Sequence, residues 1–192
     1  LGLFALLAAS PFLIRSAMTR GSTAFTVGVC VYAASAVVLY LASALYHGTP
    51  HPRAKRVLKT LDHSAIYLLI AGSYTPFTLG VLRGPWGWSL FGIVWGLALA
   101  GIVFKFVAGT GFPLLSNAVY LVMGWLVVIA IRPLYLALPA AGLGWLVAGG
   151  LAYTAGVYFY AAERLRYAHF VWHLFVLAGT AFHFIAVYGY AA

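Results

Sequence analysis

Seven apolar stretches, each set off from the next by a short polar or basic segment, organise the chain. The first, Leu1 to Ile14, falls short of the ~20 residues a spanning helix needs. No basic segment precedes it, as one would in a signal peptide, so it reads as the remnant of a first transmembrane helix. The chain begins at Leu1 without a methionine, and an amino-terminal piece is expected to be missing. Arg15 to Arg20 reads as a loop. Six further spans are expected: Thr23 to Tyr46, Leu61 to Leu82, Trp88 to Phe106, Leu114 to Ile131, Ala141 to Tyr160 and Ala168 to Tyr190. Pro76 is expected to kink the third. Gly92, Gly96 and Gly101 give the fourth a small-residue face suited to close helix packing.

Between the second and third spans, GTPHPRAKRVLK reads as a basic loop carrying Arg53, Lys55, Arg56 and Lys59, with Asp62 in the first helical turn that follows. Arg83-Gly-Pro-Trp reads as a turn and Lys105 to Pro113 as a loop. Arg132 and Pro133 close the fifth span, and Glu163-Arg-Leu-Arg166 leads into the seventh. Tyr46, Trp86 and Trp88, at span ends, read as interface anchors. Neither a low-complexity linker nor an internal repeat interrupts the pattern. Residues 1–192 are therefore expected to form one domain, an all-α integral membrane protein built as a seven-transmembrane helix bundle.

Composition strengthens this reading. The 192 residues are 65% hydrophobic and 7% charged, where a soluble domain carries about 25% charge. Two acids, Asp62 and Glu163, stand against eleven Lys and Arg, for a net charge of +9. That excess reflects loop placement. A nucleic-acid binder presents its basic patch on a polar, soluble scaffold, so nucleic acid is not an expected partner. The one cysteine, Cys30, lies in an apolar run and excludes an internal disulfide.

Alternate connections of a seven-span chain fall on opposite sides. Those after spans two, four and six hold Arg53, Lys55, Arg56, Lys59, Lys105, Arg164 and Arg166; those after one, three and five hold Arg15, Arg20, Arg83 and Arg132. Basic residues concentrate in the cytoplasm, which places the amino end inside and the carboxyl end outside.

Candidate chemistry is concentrated in the seventh span, which carries three of the six histidines. On a helix His169 and His173 are about 40° apart, and His183 falls about 40° to the other side of His169. Ionisable side chains at membrane depth face a bundle interior or cavity and are functional candidates. His-x-x-x-His on a helix is also the spacing at which two imidazoles reach one metal ion. Taken alone, that motif is equally readable as hydrogen-bonded packing.

The topology changes the balance. Span two ends on the cytoplasmic side with His47, span three starts there with Asp62, and span seven starts there with His169 and His173. Four metal-competent groups from three helices thus share one depth, with Ser43 one turn deeper than His47 and His183 roughly 15 Å deeper than His173. Three histidines and a water make a catalytic zinc site with an open fourth position, in which zinc makes hydroxide available near neutral pH. Asp62 then reads as a group that orients the water and accepts its proton, or else as a charge favourable to a helix N-terminus. Ser43 either donates to a bound oxygen or bonds back to the carbonyl of residue 39. His51 and His63 read as interfacial.

Ser43-x-x-x-His47, then Leu61-Asp62-His63-Ser64 with Ala71-Gly72-Ser73-Tyr74-Thr75-Pro76-Phe77, then His169-x-x-x-His173, resemble in order the motifs of the hemolysin III family. That family sits within the progestin and adipoQ receptors, which include the adiponectin receptors. The resemblance runs from span two to the end. It implies a multi-pass protein of the bacterial plasma membrane, with zinc held by His47, His169 and His173 and Asp62 on the activated water. Because the superfamily includes alkaline ceramidases, it also implies a metal-dependent hydrolase of lipid amides (ceramide-like) or esters. A membrane lipid is the implied substrate; no protein partner is implied. The soluble amino-terminal region of the receptor branch is expected to be absent or truncated here.

Two alternatives stand beside the hydrolase: a hemolysin or pore, as the family name suggests, and a receptor-like sensor with a structural zinc. An aqueous pore wants polar residues at all depths, and here they gather at one end. A retinal protein is disfavoured because span seven lacks a lysine, and a haem protein because His169 and His173 share one helix. The orientation is directly testable: a reporter fused after Ala192 should read as extracytoplasmic, and a cytoplasmic signal from the full chain would reverse it.

Overall fold

The computed structural model describes residues 2–82, 84–162 and 164–191. Arg83, in the turn expected after span three, and Glu163, expected ahead of span seven, lie outside the described residues, as does Leu1. Among the described residues, seven helices are long and apolar enough to cross a membrane. They are α1 (Gly2–Arg20), α2 (Thr23–Gly48), α3 (Pro52–Val81), α4 (Gly84–Ala108), α5 (Pro113–Ala137), α6 (Ala140–Ala161) and α7 (Ala168–Tyr190).

Several expected boundaries move, each for a local reason. Arg15 to Arg20 is not a loop but the last turns of α1, where the Arg20 guanidinium donates to the Tyr188 carbonyl of α7 and stacks over its ring. The basic segment ahead of span three is largely helical. Pro52 takes the first position of α3, where its missing N–H costs nothing, and Ala54, Lys55, Arg56, Leu58 and Lys59 are good helix formers. Asp62 therefore lies ten residues into α3, since 62 − 52 = 10, and is not an N-terminal dipole charge.

At Pro76 the expected kink takes the form of a π-helical turn over Phe77–Val81. Leu82 N–H reaches back five residues to the Phe77 carbonyl at 2.8 Å. Gly28 of α2 packs against this point, where a Cβ would fall 2.9 Å from the Thr75 carbonyl oxygen.

The fifth helix does not end at Arg132-Pro133. A 3₁₀ stretch, Leu126–Ala130, interrupts it, and a last α-helical segment, Ile131–Ala137, carries on. This restart puts Pro133 in a first turn, where proline is tolerated. Tyr74 of α3 repairs the interruption: its hydroxyl lies 2.9 Å from the Met123 carbonyl and 2.8 Å from that of Gly124, and it accepts from Val127 N–H at 3.0 Å.

Helix α3 is the axis of the bundle. Its Ala65, Leu69 and Phe77 join a core with α1, α2 and α7, while Tyr67, Ala71 and Tyr74 join a second core with α4 and α5. The packing face of α4 is Gly87, Leu90, Val94, Ala98, Gly101 and Lys105. Gly101 gives way to the Tyr67 ring as expected, but Gly92 and Gly96 are exposed and meet nothing. Lys105 was expected in a loop. It is instead fully buried in α4, with its ammonium donating to the Ser116 hydroxyl of α5 at 2.5 Å.

One polar node joins α2, α6 and α7 near mid-depth. Tyr40 donates to Thr180 Oγ1 at 3.1 Å, Tyr153 shares a 2.9 Å bond with the same atom, and Tyr32 donates to the Thr180 carbonyl at 3.0 Å. Interhelical bonds in membranes average ~0.6 kcal/mol, while a hydroxyl left unpaired costs about 1–3 kcal/mol. Thr180→Val, nearly isosteric, should therefore lower stability in detergent by about 1–3 kcal/mol, and Thr180→Ser should restore most of it. Equal unfolding midpoints for Thr180→Val and wild type would show that the node does not hold the bundle.

Candidate metal centre

Two helix ends converge at one end of the bundle. His47 comes from the last turn of α2, and His169 and His173 from successive turns at the start of α7. Their ring nitrogens all lie within 4.8 Å of one another. Nε2 of His169 is 3.3 Å from Nε2 of His47 and 3.1 Å from Nε2 of His173. A tetrahedral ion bound at ~2.0–2.1 Å requires its imidazole nitrogens to sit roughly 3.3–3.4 Å apart. The separations match that requirement, and all three imidazoles turn the same nitrogen inward. Three neutral nitrogen donors and no thiolate suit zinc, copper, iron or nickel more than magnesium or calcium. The residues present thus fit a transition-metal ion.

A cavity of about 580 Å³ extends from this cluster into the bundle. Ser43, Asp62, His169 and His173 contribute to its lining, and the Ser43 side chain neighbours the Asp62 carboxyl. The rest of the wall is chiefly apolar, with Leu39, Ile66, Leu146 and Val176 among its residues.

His63 was expected at the interface, but it lines the cavity beside Asp62, with its ring 6.3 Å from that of Tyr160. Its carbonyl accepts from the Tyr120 hydroxyl at 2.8 Å. The signal lay in α3 itself: once the helix begins at Pro52, Lys59, Asp62, His63 and Ile66 form one face. His51 is exposed, as expected for an interfacial residue.

His183 shares the interior face of α7 but not the cluster. Its ring packs edge-on to Gly149, lies 5.4 Å from the Tyr153 ring, and brings Nε2 within 3.3 Å of the Leu146 carbonyl.

A membrane-embedded helical bundle with a three-histidine centre opening on an internal cavity is the class that fold and site define. The sequence matches the family described as Haemolysin-III related over residues 1–184, and the chain belongs to that family. It is 47% identical to Hemolysin-3 of Bacillus cereus over 178 residues, 93% of this chain and 81% of the relative. Identity to the Hemolysin-3 homolog of Bacillus subtilis (strain 168) is 48% over 179 residues, 93% and 84% of the two chains. More distantly, it is 27% identical to the Monocyte to macrophage differentiation factor of Homo sapiens over 168 residues, 83% and 68%. No solved structure matches the chain. With these bacterial relatives and seven apolar helices, it is a multi-pass integral membrane protein of the bacterial plasma membrane.

The donor set predicts one transition-metal ion per chain. Metal analysis of purified protein should find it in wild type and find it largely lost in His169→Ala, whose imidazole is the one shared by both close pairs. Equal metal content in the two proteins would dissolve the centre.

Proposed function

We propose that this protein is a zinc-dependent hydrolase that cleaves a lipid amide of the ceramide type, or a lipid ester, at the end of its internal cavity. The observation that supports this most is the spacing of the three Nε2 atoms at 3.1 and 3.3 Å beside a cavity with chiefly apolar walls. A bound zinc ion supplies Lewis acidity and makes hydroxide available at neutral pH.

The chain's own groups divide the remaining work. His47, His169 and His173 hold the ion between α2 and α7. Asp62 accepts the proton of the attacking water, and the Ser43 hydroxyl fixes the direction of the Asp62 carboxyl by donating to it. Leu39, Ile66, Leu146 and Val176 receive the acyl chain and keep bulk water from it. The water oxygen bonds to the acyl carbon, the C–N or C–O bond breaks, and the proton held by Asp62 passes to the leaving amine or alkoxide. The expected site is cytoplasmic, following the orientation read from the basic residues.

A second reading takes its support from the name Hemolysin-3 carried by the Bacillus relatives: a membrane-lysing protein or a receptor-like sensor in which the metal is structural. The two readings part on Asp62. Asp62→Asn keeps three imidazole ligands and a side chain that still hydrogen-bonds Ser43, but it cannot take a proton. It should retain zinc and lose ~10²–10⁴ in rate, the usual cost of removing a positioned general base. His173→Ala should lose metal and turnover together. Fatty-acid release from ceramide-like and other acyl lipids in liposomes is the measurement. Undiminished hydrolysis in zinc-loaded Asp62→Asn would remove the aspartate's role, and no hydrolysis above the His173→Ala background would favour structural zinc.

A further inference from the structure

Four basic residues open α3, and three of them behave as boundary charges. Arg53 and Arg56 are exposed, and the Lys55 ammonium lies 5.6 Å from the centre of the Tyr46 ring. Lys59 differs. Like Lys55 it is half-buried, but it alone of the four contributes to the cavity wall, one turn before Asp62 and His63. Among the described residues no carboxylate or hydroxyl pairs with it, and the one described acid, Asp62, neighbours Ser43. The charged group it neighbours on α4, Lys105, is of the same sign. Asn117 and Tyr120 of α5 line the same cavity, where the Tyr120 hydroxyl donates to the His63 carbonyl.

A half-buried cation surrounded by like charge and hydrogen-bond donors is costly unless an anion completes it. Orientation in the membrane accounts for a basic residue on the rim, but not for one turned into a cavity. Beyond this end the walls are chiefly apolar, so the anion that fits is tethered to a hydrocarbon chain. We infer that Lys59 and His63, with Asn117 of α5 in the same cavity wall, form an anion subsite that takes the negatively charged phosphate headgroup of a membrane lipid. Lys59 then acts as a point charge on the phosphate oxygens, with the His63 and Asn117 side chains donating. Because ceramide itself carries no phosphate, this deepens the ester form of the hydrolase reading by naming its substrate class as a phosphate-bearing lipid, and as a binding site it can be tested without turnover.

Phosphatidylglycerol and phosphatidylcholine with brominated acyl chains, added to the full chain in nonionic detergent, report binding by quenching Trp125 and Trp172 in the cavity wall. One charge-assisted hydrogen bond corresponds to about tenfold or more in affinity. Wild type should bind phosphatidylglycerol about tenfold more tightly than phosphatidylcholine. Lys59→Met should erase that preference, while Lys59→Arg and the rim control Lys55→Met keep it. The preference should persist in His173→Ala, so that a failure of hydrolysis bears on the metal reading alone. Equal affinities in wild type, or an equal loss in Lys55→Met and Lys59→Met, would overturn the subsite. Glycerol phosphate competing as tightly as the lipid would reassign the site to a free anion.

Discussion

Thr180 accepts hydrogen bonds from Tyr40 of α2 and Tyr153 of α6 while its own hydroxyl donates to the Val176 carbonyl at 2.9 Å. In hydrocarbon none of these groups has water to fall back on, so each must be satisfied inside the protein. The node therefore fixes which face of α7 meets α2. Seven residues, close to two helical turns, separate His173 from Thr180, so the rotation that seats the threonine also turns His169 and His173 toward His47. At the far end Arg20 engages the Tyr188 carbonyl and ring, which limits sliding of α7 along its axis. Close approach of three nitrogens from two helices depends on both rotation and depth being set in this way.

Much of this was legible in the sequence because the solvent is uniform. Apolar length alone separates the seven spans, and an ionisable group inside one is costly enough to point inward. That logic brought His47, His169 and His173 to one depth, and the geometry brings their Nε2 atoms together. It gave less where local backbone chemistry decides. The polar run from Pro52 to Thr60 lacks the apolar signature of a span, yet its residues favour helix. Reading it as a loop put Asp62 at a helix start and hid the face that carries Lys59 and His63. Pro133 looks like a terminator unless one knows that the 3₁₀ stretch before it frees the carbonyls its ring would strike.

Interhelical partners were the least legible, because they depend on which residues of distant helices meet. Nothing in the sequence marks Tyr74 as the group that satisfies the carbonyls of Met123 and Gly124, or Ser116 as the partner of Lys105. Gly92 and Gly96 carry the same small-residue signature as Gly101, but only Gly101 faces an aromatic ring. A motif states what a face permits. The neighbouring helix decides whether it is used.

Polar side chains line the cavity at several depths, and what distinguishes them is whether they are already paired. Ser73 donates to the Ile70 carbonyl, Thr154 donates to the Gly150 carbonyl and accepts from the Trp125 indole, and Tyr40 and Tyr153 are taken by Thr180. Apart from the buried Nδ1 of His183, these deep groups offer a passing ion or water little hydrogen-bonding capacity, whereas conduction needs a ladder of available sites. At the mouth the situation reverses. Three imidazoles turn the same nitrogen toward one another, and Lys59 has no counter-charge among the described residues. The carboxyl of Asp62 neighbours the Ser43 hydroxyl. Unspent coordination and hydrogen-bonding capacity is therefore concentrated at one end of a chiefly apolar cavity. That arrangement suits a molecule with one reactive polar end and a long apolar remainder, held in place while its head is worked on.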